Sequence, residues 1–169
     1  MKKLVGSVAL AAVLATAHAQ SYSISLSPEG AGGRTGSGSG SLTLSGNTLS
    51  VDVSFSGLSG TVNNAHIHGP AGPFPETAGV LYGLNPITTQ NASAGTINGS
   101  VTLADGTGGL TLAQQLDQLN GEMWYINIHT APTFGGGEIR GQIVPVPEPS
   151  TYALMGMGLA VLAWRLRRK

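Results

Sequence analysis

Apolar and polar residues alternate one by one in several short stretches of this chain. The clearest stretch runs from Leu49 to Ser56, where Leu, Val or Phe fills every second position and Ser or Asp fills the positions between. A period of two residues is typical of a β-strand with one buried face. The same pattern recurs at Tyr22, Ile24 and Leu26, at Leu42 and Leu44, and at Ile97, Val101 and Leu103.

Turn sequences separate these stretches, and long helical periodicity is nearly absent. The turns are Ser45-Gly46-Asn47, Gly57-Leu58-Ser59-Gly60 and Asp105-Gly106. One short helix is predicted after Thr111, which forms a capping-box pair with Gln114; it carries Leu112, Leu116 and Leu119 on one side and ends at Gly121. We therefore predict an all-β fold, a single antiparallel β-sandwich or Greek-key-like domain with one short helix over residues 20–145.

Two further strands close this predicted domain. In residues 122–129, Trp124, Ile126 and Ile128 share one face, while Tyr125, Asn127 and His129 share the other. Alternation resumes after Gly135-Gly136-Gly137 and continues to Ile143, so the two strands are predicted to pair as a hairpin with their apolar faces on the core.

The Gly- and Ser-rich segment 30–41 is open to two interpretations. It can be a disordered linker, or a mobile loop that leads into a glycine-rich strand at the edge of the sheet. The strands on both sides favour the second interpretation.

The N-terminal residues have the layout of a secretory signal peptide. Met1-Lys2-Lys3 is positively charged, residues 4–15 are apolar, and Ala17-His18-Ala19 is a small-residue cleavage site. We predict that residues 1–19 are a signal peptide used by the Sec export machinery and that the mature chain starts at Gln20.

The C-terminal residues combine a proline-containing motif, a short apolar run and a basic cluster. The motif is Val146, Pro147, Glu148, Pro149, Ser150 and Thr151, the run spans 152–164, and the cluster is Arg165, Arg167, Arg168 and Lys169. The positive-inside rule places the cluster in the cytoplasm. Because an unaided span needs roughly 20 apolar residues, we predict a short transmembrane helix that anchors the chain only in transit.

In order and position, this tail over residues 146–169 resembles the PEP-CTERM sorting signal of Gram-negative bacteria. The resemblance implies recognition by an exosortase-type membrane protease and removal of the tail near Pro147-Glu148-Pro149. It also implies delivery to the cell surface or to an extracellular exopolysaccharide matrix, as in a biofilm. The alternative is a plain single-span anchor that stays in place.

Charge is distributed unevenly along the chain. Between Gln20 and Val146 the basic residues are Arg34 and Arg140, against seven carboxylates: Glu29, Asp52, Glu76, Asp105, Asp117, Glu122 and Glu138. Such an acidic domain offers no basic patch to nucleic acid or to anionic membrane surfaces. The chain has no cysteine, so its stability must come from the core rather than from disulfides.

Three histidines lie at positions that can share a face of the sheet. His66 and His68 are two residues apart on a predicted strand, which projects both imidazoles to one side. If that strand lies beside the closing hairpin, His129 can supply a third metal ligand and, with less support, Glu138 a fourth. Three histidines suit zinc or copper. Alternatively the imidazoles only form hydrogen bonds, with Arg140 paired to Glu138, and no cofactor is bound.

The residues around these histidines resemble the signature segments of the CHRD domain, first named from chordin. The segments are residues 65–71, 124–130 and 137–142, and the matching residues are His66, His68, Gly69, Asn127, His129, Thr130, Gly137, Glu138, Arg140 and Gly141. The resemblance spans roughly Tyr22 to Val144. It implies a β-sandwich-like extracellular domain and carries no catalytic activity with it.

Two functional hypotheses follow. The first is a non-enzymatic surface or matrix domain that contacts exopolysaccharide or surface proteins, because the sequence shows no Gly-x-Ser-x-Gly elbow, no phosphate-cradling loop and no cysteine nucleophile. The second is a copper- or zinc-binding extracellular domain that uses His66, His68 and His129. Chemistry like that of copper-zinc superoxide dismutase is disfavoured, since that enzyme needs more histidines and a disulfide.

Overall fold

The computed structural model describes residues 19–148, 156–159 and 164–167. Residues 19–148 form eight strands, one α-helix and two short 3₁₀ turns. The strands are β1 (Gln20–Pro28), β2 (Ser37–Ser45), β3 (Thr48–Ser56), β4 (Thr61–His68), β5 (Val80–Gly83), β6 (Gly95–Thr102), β7 (Tyr125–Ala131) and β8 (Phe134–Pro145). The helix α1 spans Leu112–Asn120, and the 3₁₀ turns are Asn85–Ile87 and Thr107–Gly109.

The eight strands form one antiparallel sheet in the order β5-β4-β7-β8-β1-β2-β3-β6. Residues 84–92 bring its two ends together. The Leu84 amide donates to the carbonyl of Ala65 in β4 over 2.8 Å, and Thr88 forms a bridge with Ile97 in β6. The sheet is therefore nearly closed, and the predicted all-β, antiparallel fold with one short helix is confirmed.

The alternating apolar positions supply the core. Those predicted from the sequence are buried at Tyr22, Ile24, Leu26, Leu42, Leu44, Leu49, Val51, Val53, Phe55, Ile97, Leu103, Trp124, Ile126 and Ile128. They join one hydrophobic cluster that draws on both halves of the curved sheet. The predicted hairpin is confirmed as well, since β7 and β8 pair antiparallel with Ile128 opposite Ile139.

The predicted helix is confirmed together with its cap. The Thr111 hydroxyl accepts from the Gln114 amide, the Gln114 side chain accepts from the Thr111 amide, and Gly121 follows the last turn. Leu119 is fully buried while Leu112 and Leu116 pack against the core.

The glycine-rich strand is not at the edge of the sheet. β2 lies between β1 and β3 and pairs with β1 from Gly38 to Leu44, so the expectation of an edge strand was wrong. A Cβ at Gly40 would overlap the carbonyl oxygen of Asp52 and the Cα of Val53. Glycine is present here because the neighbouring backbone approaches closely, which is a second reason for glycine in a strand.

The predicted targeting segments fall mostly outside the described residues. Nearly all of the expected signal peptide lies there, as do Pro149, Ser150, Thr151, Arg168 and Lys169. Residues 156–159 are helical, but within the described parts of the chain no helix is both long and apolar enough to span a membrane. The short transmembrane helix therefore stays a prediction.

Candidate functional site

The three histidines converge on the outer face of the β4–β7 pair. β4 and β7 are neighbours, with Asn64 opposite His129, His66 opposite Asn127 and His68 opposite Tyr125. One ring nitrogen from each of the three imidazoles lies within 4.8 Å of the others. The adjacency on which the predicted site depended is thus present, and the three imidazoles form what we call the histidine cluster.

Backbone carbonyls fix the tautomers of two of these imidazoles. His68 Nδ1 lies 3.0 Å from the Ala78 carbonyl and His129 Nδ1 lies 2.9 Å from the Gly135 carbonyl. A carbonyl can only accept, so both Nδ1 atoms carry the proton and both neutral rings keep a lone pair on Nε2. His66 Nδ1 then donates to His129 Nε2 over 3.1 Å.

Burial disfavours the charged forms of His66 and His68. It lowers the pKa of His66 and His68 below the usual imidazole value, and the neighbouring imidazoles lower the pKa of His66 further. His68 is almost wholly buried, and its Nε2 atom has no hydrogen-bond partner among the described residues. A buried lone pair without a donor is costly unless a ligand satisfies it.

Stacked side chains hold the His68 ring in place. Its ring stacks on Tyr125, with centroids 4.9 Å apart and planes 4° from parallel. The guanidinium carbon of Arg140 lies 3.5 Å from the centroid of the same tyrosine ring. Arg140 also donates to the carbonyls of Glu76 at 2.7 Å and Gly72 at 3.1 Å. The segment between β4 and β5 is thereby held over this face, which explains why both faces of β7 are buried.

Arg140 pairs with Glu29 and not with Glu138. The Arg140 Nη1 to Glu29 Oε1 distance is 3.6 Å, and Asn127 Nδ2 donates to Glu29 Oε2 over 2.8 Å. The expected Arg140–Glu138 pair was therefore wrong. Glu29 was missed because its position after β1 gives no local sign that β1 will lie beside β8.

Glu138 is turned to other partners and does not join the cluster. Its carboxylate accepts hydrogen bonds from Thr130, Ser59 and Thr35. It is absent from the group of described residues whose ligand atoms lie together with the three imidazoles. The structure therefore gives no support to Glu138 as a fourth ligand.

The glycines of the signature segments lie where a neighbouring side chain or backbone carbonyl approaches their Cα atoms closely. Gly137 has a φ of 129°, and a Cβ there would overlap the side chains of Glu29 and Asn127. A Cβ at Gly69 would overlap the Trp124 ring, and one at Gly141 the Ser25 carbonyl. These residues shape the site by leaving room for their neighbours.

A second surface is formed by the outer face of β1, β2, β3 and β6. Three cross-strand rows carry short polar side chains, almost all of them exposed. The rows are Ser21, Thr43, Ser50 and Ser100; Ser23, Ser41, Asp52 and Asn98; and Ser25, Ser39, Ser54 and Thr96. We call this surface the hydroxyl face. A groove of about 490 Å³ at one end is lined by residues that include Ser25, Ser39 and Ser54.

Part of the sorting motif is described by the structure. The Val146 amide donates to the Ser21 carbonyl over 2.8 Å, so the motif begins where β8 leaves the sheet beside β1. Pro147 and Glu148 follow without regular secondary structure, and Arg165 and Arg167 are exposed.

Comparison with known proteins gives two matches to family models. The model described as CHRD domain matches residues 11–143, and the model described as PEP-CTERM protein-sorting motif matches residues 145–169. The first match begins inside the predicted signal peptide. No curated protein and no solved structure matches the chain.

Proposed function

Because this chain belongs to the CHRD domain family and ends in a PEP-CTERM sorting motif, we propose that it is a non-enzymatic surface protein that contacts exopolysaccharide. PEP-CTERM signals are processed by exosortase, a membrane protein, so the chain is exported and sorted at a membrane. The proposed destination is the surface or extracellular matrix of a Gram-negative bacterium, reached through Sec export and transient anchoring.

The hydroxyl face is the observation that carries this proposal. It presents donors and acceptors in registered rows across four strands, and Asp52 is the one acidic residue in those rows. A hydroxyl-rich polymer can exchange hydrogen bonds with such rows, and hydroxyl groups serve equally as donor and acceptor. The scarcity of cations in residues 20–146 argues against an anionic polymer as the partner.

Binding to exopolysaccharide purified from the producing bacterium tests the proposal. We expect the protein to co-sediment with the polymer and the double variant Ser39→Glu/Ser54→Glu, which places two charges in the groove, to bind at least tenfold more weakly. Thr133→Glu, in the exposed turn between β7 and β8, is the matched control and should bind like the parent. Equal binding by the double variant would contradict the proposed surface.

The histidine cluster favours a second candidate function, binding of a transition metal. The observation that favours it is His68 Nε2, a buried lone pair with no donor among the described residues, in a group of three imidazoles that lie close together. Metal analysis of the purified chain after reloading with zinc and copper should find about one metal ion per chain. His66→Ala/His68→Ala should lose it; absence of metal from both proteins would leave the histidines structural.

A further inference from the structure

We infer that the histidine cluster is a copper site, with His66 Nδ1, His68 Nε2 and His129 Nε2 as its donor atoms and one coordination position open to solvent. This inference rests on the metal-binding candidate function and specifies its donors and its ion.

The donor atoms follow from the hydrogen bonds of the rings. The carbonyls of Ala78 and Gly135 occupy the Nδ1 atoms of His68 and His129, which leaves Nε2 as the one nitrogen of each ring that keeps a lone pair for a metal. Such carbonyl contacts are the usual outer-shell partners of metal-bound histidine. His66 is oriented differently, because its Nδ1 atom points at His129 Nε2. The set is therefore one Nδ1 and two Nε2 atoms.

The distances are close to those of a metal site. Two nitrogens bound at about 2.0–2.1 Å to one ion lie roughly 3.3–3.6 Å apart. The His66–His129 nitrogen pair is at 3.1 Å, and one ring nitrogen from each of the three histidines lies within 4.8 Å of the other two. A shift of about 1 Å or less in the imidazoles would therefore admit an ion.

One proton must change place when the ion binds. The Nδ1 proton of His66 now lies in the hydrogen bond to His129 Nε2. As the metal–nitrogen bonds form, that hydrogen bond breaks and His66 takes the tautomer with its proton on Nε2. His66 is the least buried of the three, so its Nε2 has access to water for this exchange.

Charge and donor type favour copper over zinc. All three donors are neutral nitrogens, and the nearby Arg140 and Glu29 are paired with one another. Among the described residues no carboxylate belongs to the group of ligand atoms, so none offsets the charge of an ion in this half-buried place. The cost of burying an ion rises steeply with its charge, which favours Cu⁺ over a dication. Among dications, nitrogen donors bind Cu²⁺ more tightly than Zn²⁺.

The open position follows from the number of donors. Among the described residues the cluster supplies three ligand atoms, and His66 is only partly covered. A site with three protein ligands and a free position can take water or a small external ligand. The site would thus bind a copper ion whose fourth coordination position holds an exchangeable group.

Competitive loading of the full-length chain tests the inference. The metal-free protein is given Cu⁺ anaerobically from a chelator of known affinity, in the presence of a tenfold excess of Zn²⁺. We expect one copper per chain and little zinc. His68→Gln and the less buried His66→Gln should each weaken copper binding by more than about 100-fold, beyond the usual effect of outer-shell changes. Asn63→Ala, exposed on the same strand, should bind like the parent.

The outcomes separate the inference from the function on which it rests. Stoichiometric zinc in place of copper would overturn the copper assignment and leave the metal-binding function standing. If the folded protein bound neither copper nor zinc, both the copper assignment and the metal-binding function would be overturned. If His68→Gln and His66→Gln both retained copper, the assignment of the histidine cluster as the copper site would be overturned. Nitrogen-15 NMR of the Cu⁺ form should show His66 bound through Nδ1 and the other two through Nε2, and binding of His66 through Nε2 would overturn the donor set.

Discussion

Glu138 is a buried carboxylate whose charge is supported by hydrogen-bond donors. Oε1 accepts from the amide and hydroxyl of Ser59, both at 2.7 Å, and from the Thr35 amide at 3.3 Å; Oε2 accepts from the Thr130 hydroxyl at 2.5 Å. Burial alone would raise the pKa of Glu138, but these hydrogen bonds together bring it below the usual value. Stability from ionised Glu138 is therefore fully present above the unfolded pKa, about 4.3–4.5, and is lost as the pH falls through the folded pKa.

Replacing Thr130 with valine tests this assignment. Thr130→Val keeps the shape of the side chain and removes one donor from a buried carboxylate, so we expect the free energy of unfolding to fall by about 1–3 kcal/mol at neutral pH. The difference from the parent should narrow at acidic pH, once the pH has fallen through the folded pKa of Glu138 and the carboxyl is protonated. Urea unfolding at both pH values measures it, with exposed Thr133→Val as the control. An equal loss at both pH values would contradict the role of the charge.

At the scale of elements, β2 shows how closely packed backbones select a residue. Leu42 and Leu44 fill the core side of one half of β2, while Gly38 and Gly40 occupy the other half. A Cβ at either glycine would overlap β3 backbone atoms. The glycines therefore allow β2 and β3 to stay paired along their whole length, from Ser37 opposite Ser56 to Ser45 opposite Thr48.

Gly40→Ala should for this reason destabilise the domain without any change of polarity. We expect a loss of about 2–3 kcal/mol in the free energy of unfolding, the usual cost of forcing extra atoms into packed structure. Ser41→Ala, the next and exposed position on the same strand, is the matched control and should change stability by less than about 0.5 kcal/mol. Thermal or urea unfolding compares the two; equal stability would show that the backbone yields easily at Gly40.

For the whole molecule, the predicted processing sites lie just outside the sheet. β1 begins at Gln20 and β8 ends at Pro145, so removal of the predicted signal peptide and sorting tail breaks no strand. The two ends also lie side by side, through the hydrogen bond from Val146 to Ser21. Loss of both ends removes six of the eight lysines and arginines and leaves an acidic domain.

Glu148→Ala tests the sorting of the whole chain. The change removes the carboxylate of the PEP-CTERM motif, so exosortase processing should fail and the protein should remain in the membrane fraction with its tail attached. Asp117→Ala, exposed on α1, is the control and should be released normally. Mass spectrometry of the released parent should find a chain that starts at Gln20 and ends near Pro147. Normal release of Glu148→Ala would contradict exosortase sorting.

The local pattern of residues determined the elements of this protein. A period of two residues fixed which side of each strand is apolar, and the Thr111–Gln114 capping box fixed where α1 begins, because both are settled by neighbours within a few residues. His66 and His68 share a face for the same reason. Each signature segment of the two families is likewise a short continuous stretch of the sequence.

Only the tertiary structure decided which strands are neighbours, because pairing depends on how the whole core closes and not on local periodicity. It placed β2 inside the sheet, brought Glu29 to Arg140, and gave Glu138 to the hydroxyls of Thr130 and Ser59. It also set the tautomers of His68 and His129, through carbonyls on the segments around Ala78 and Gly135. Every residue has a backbone carbonyl, so the sequence does not indicate which carbonyl will accept a hydrogen bond from a given histidine.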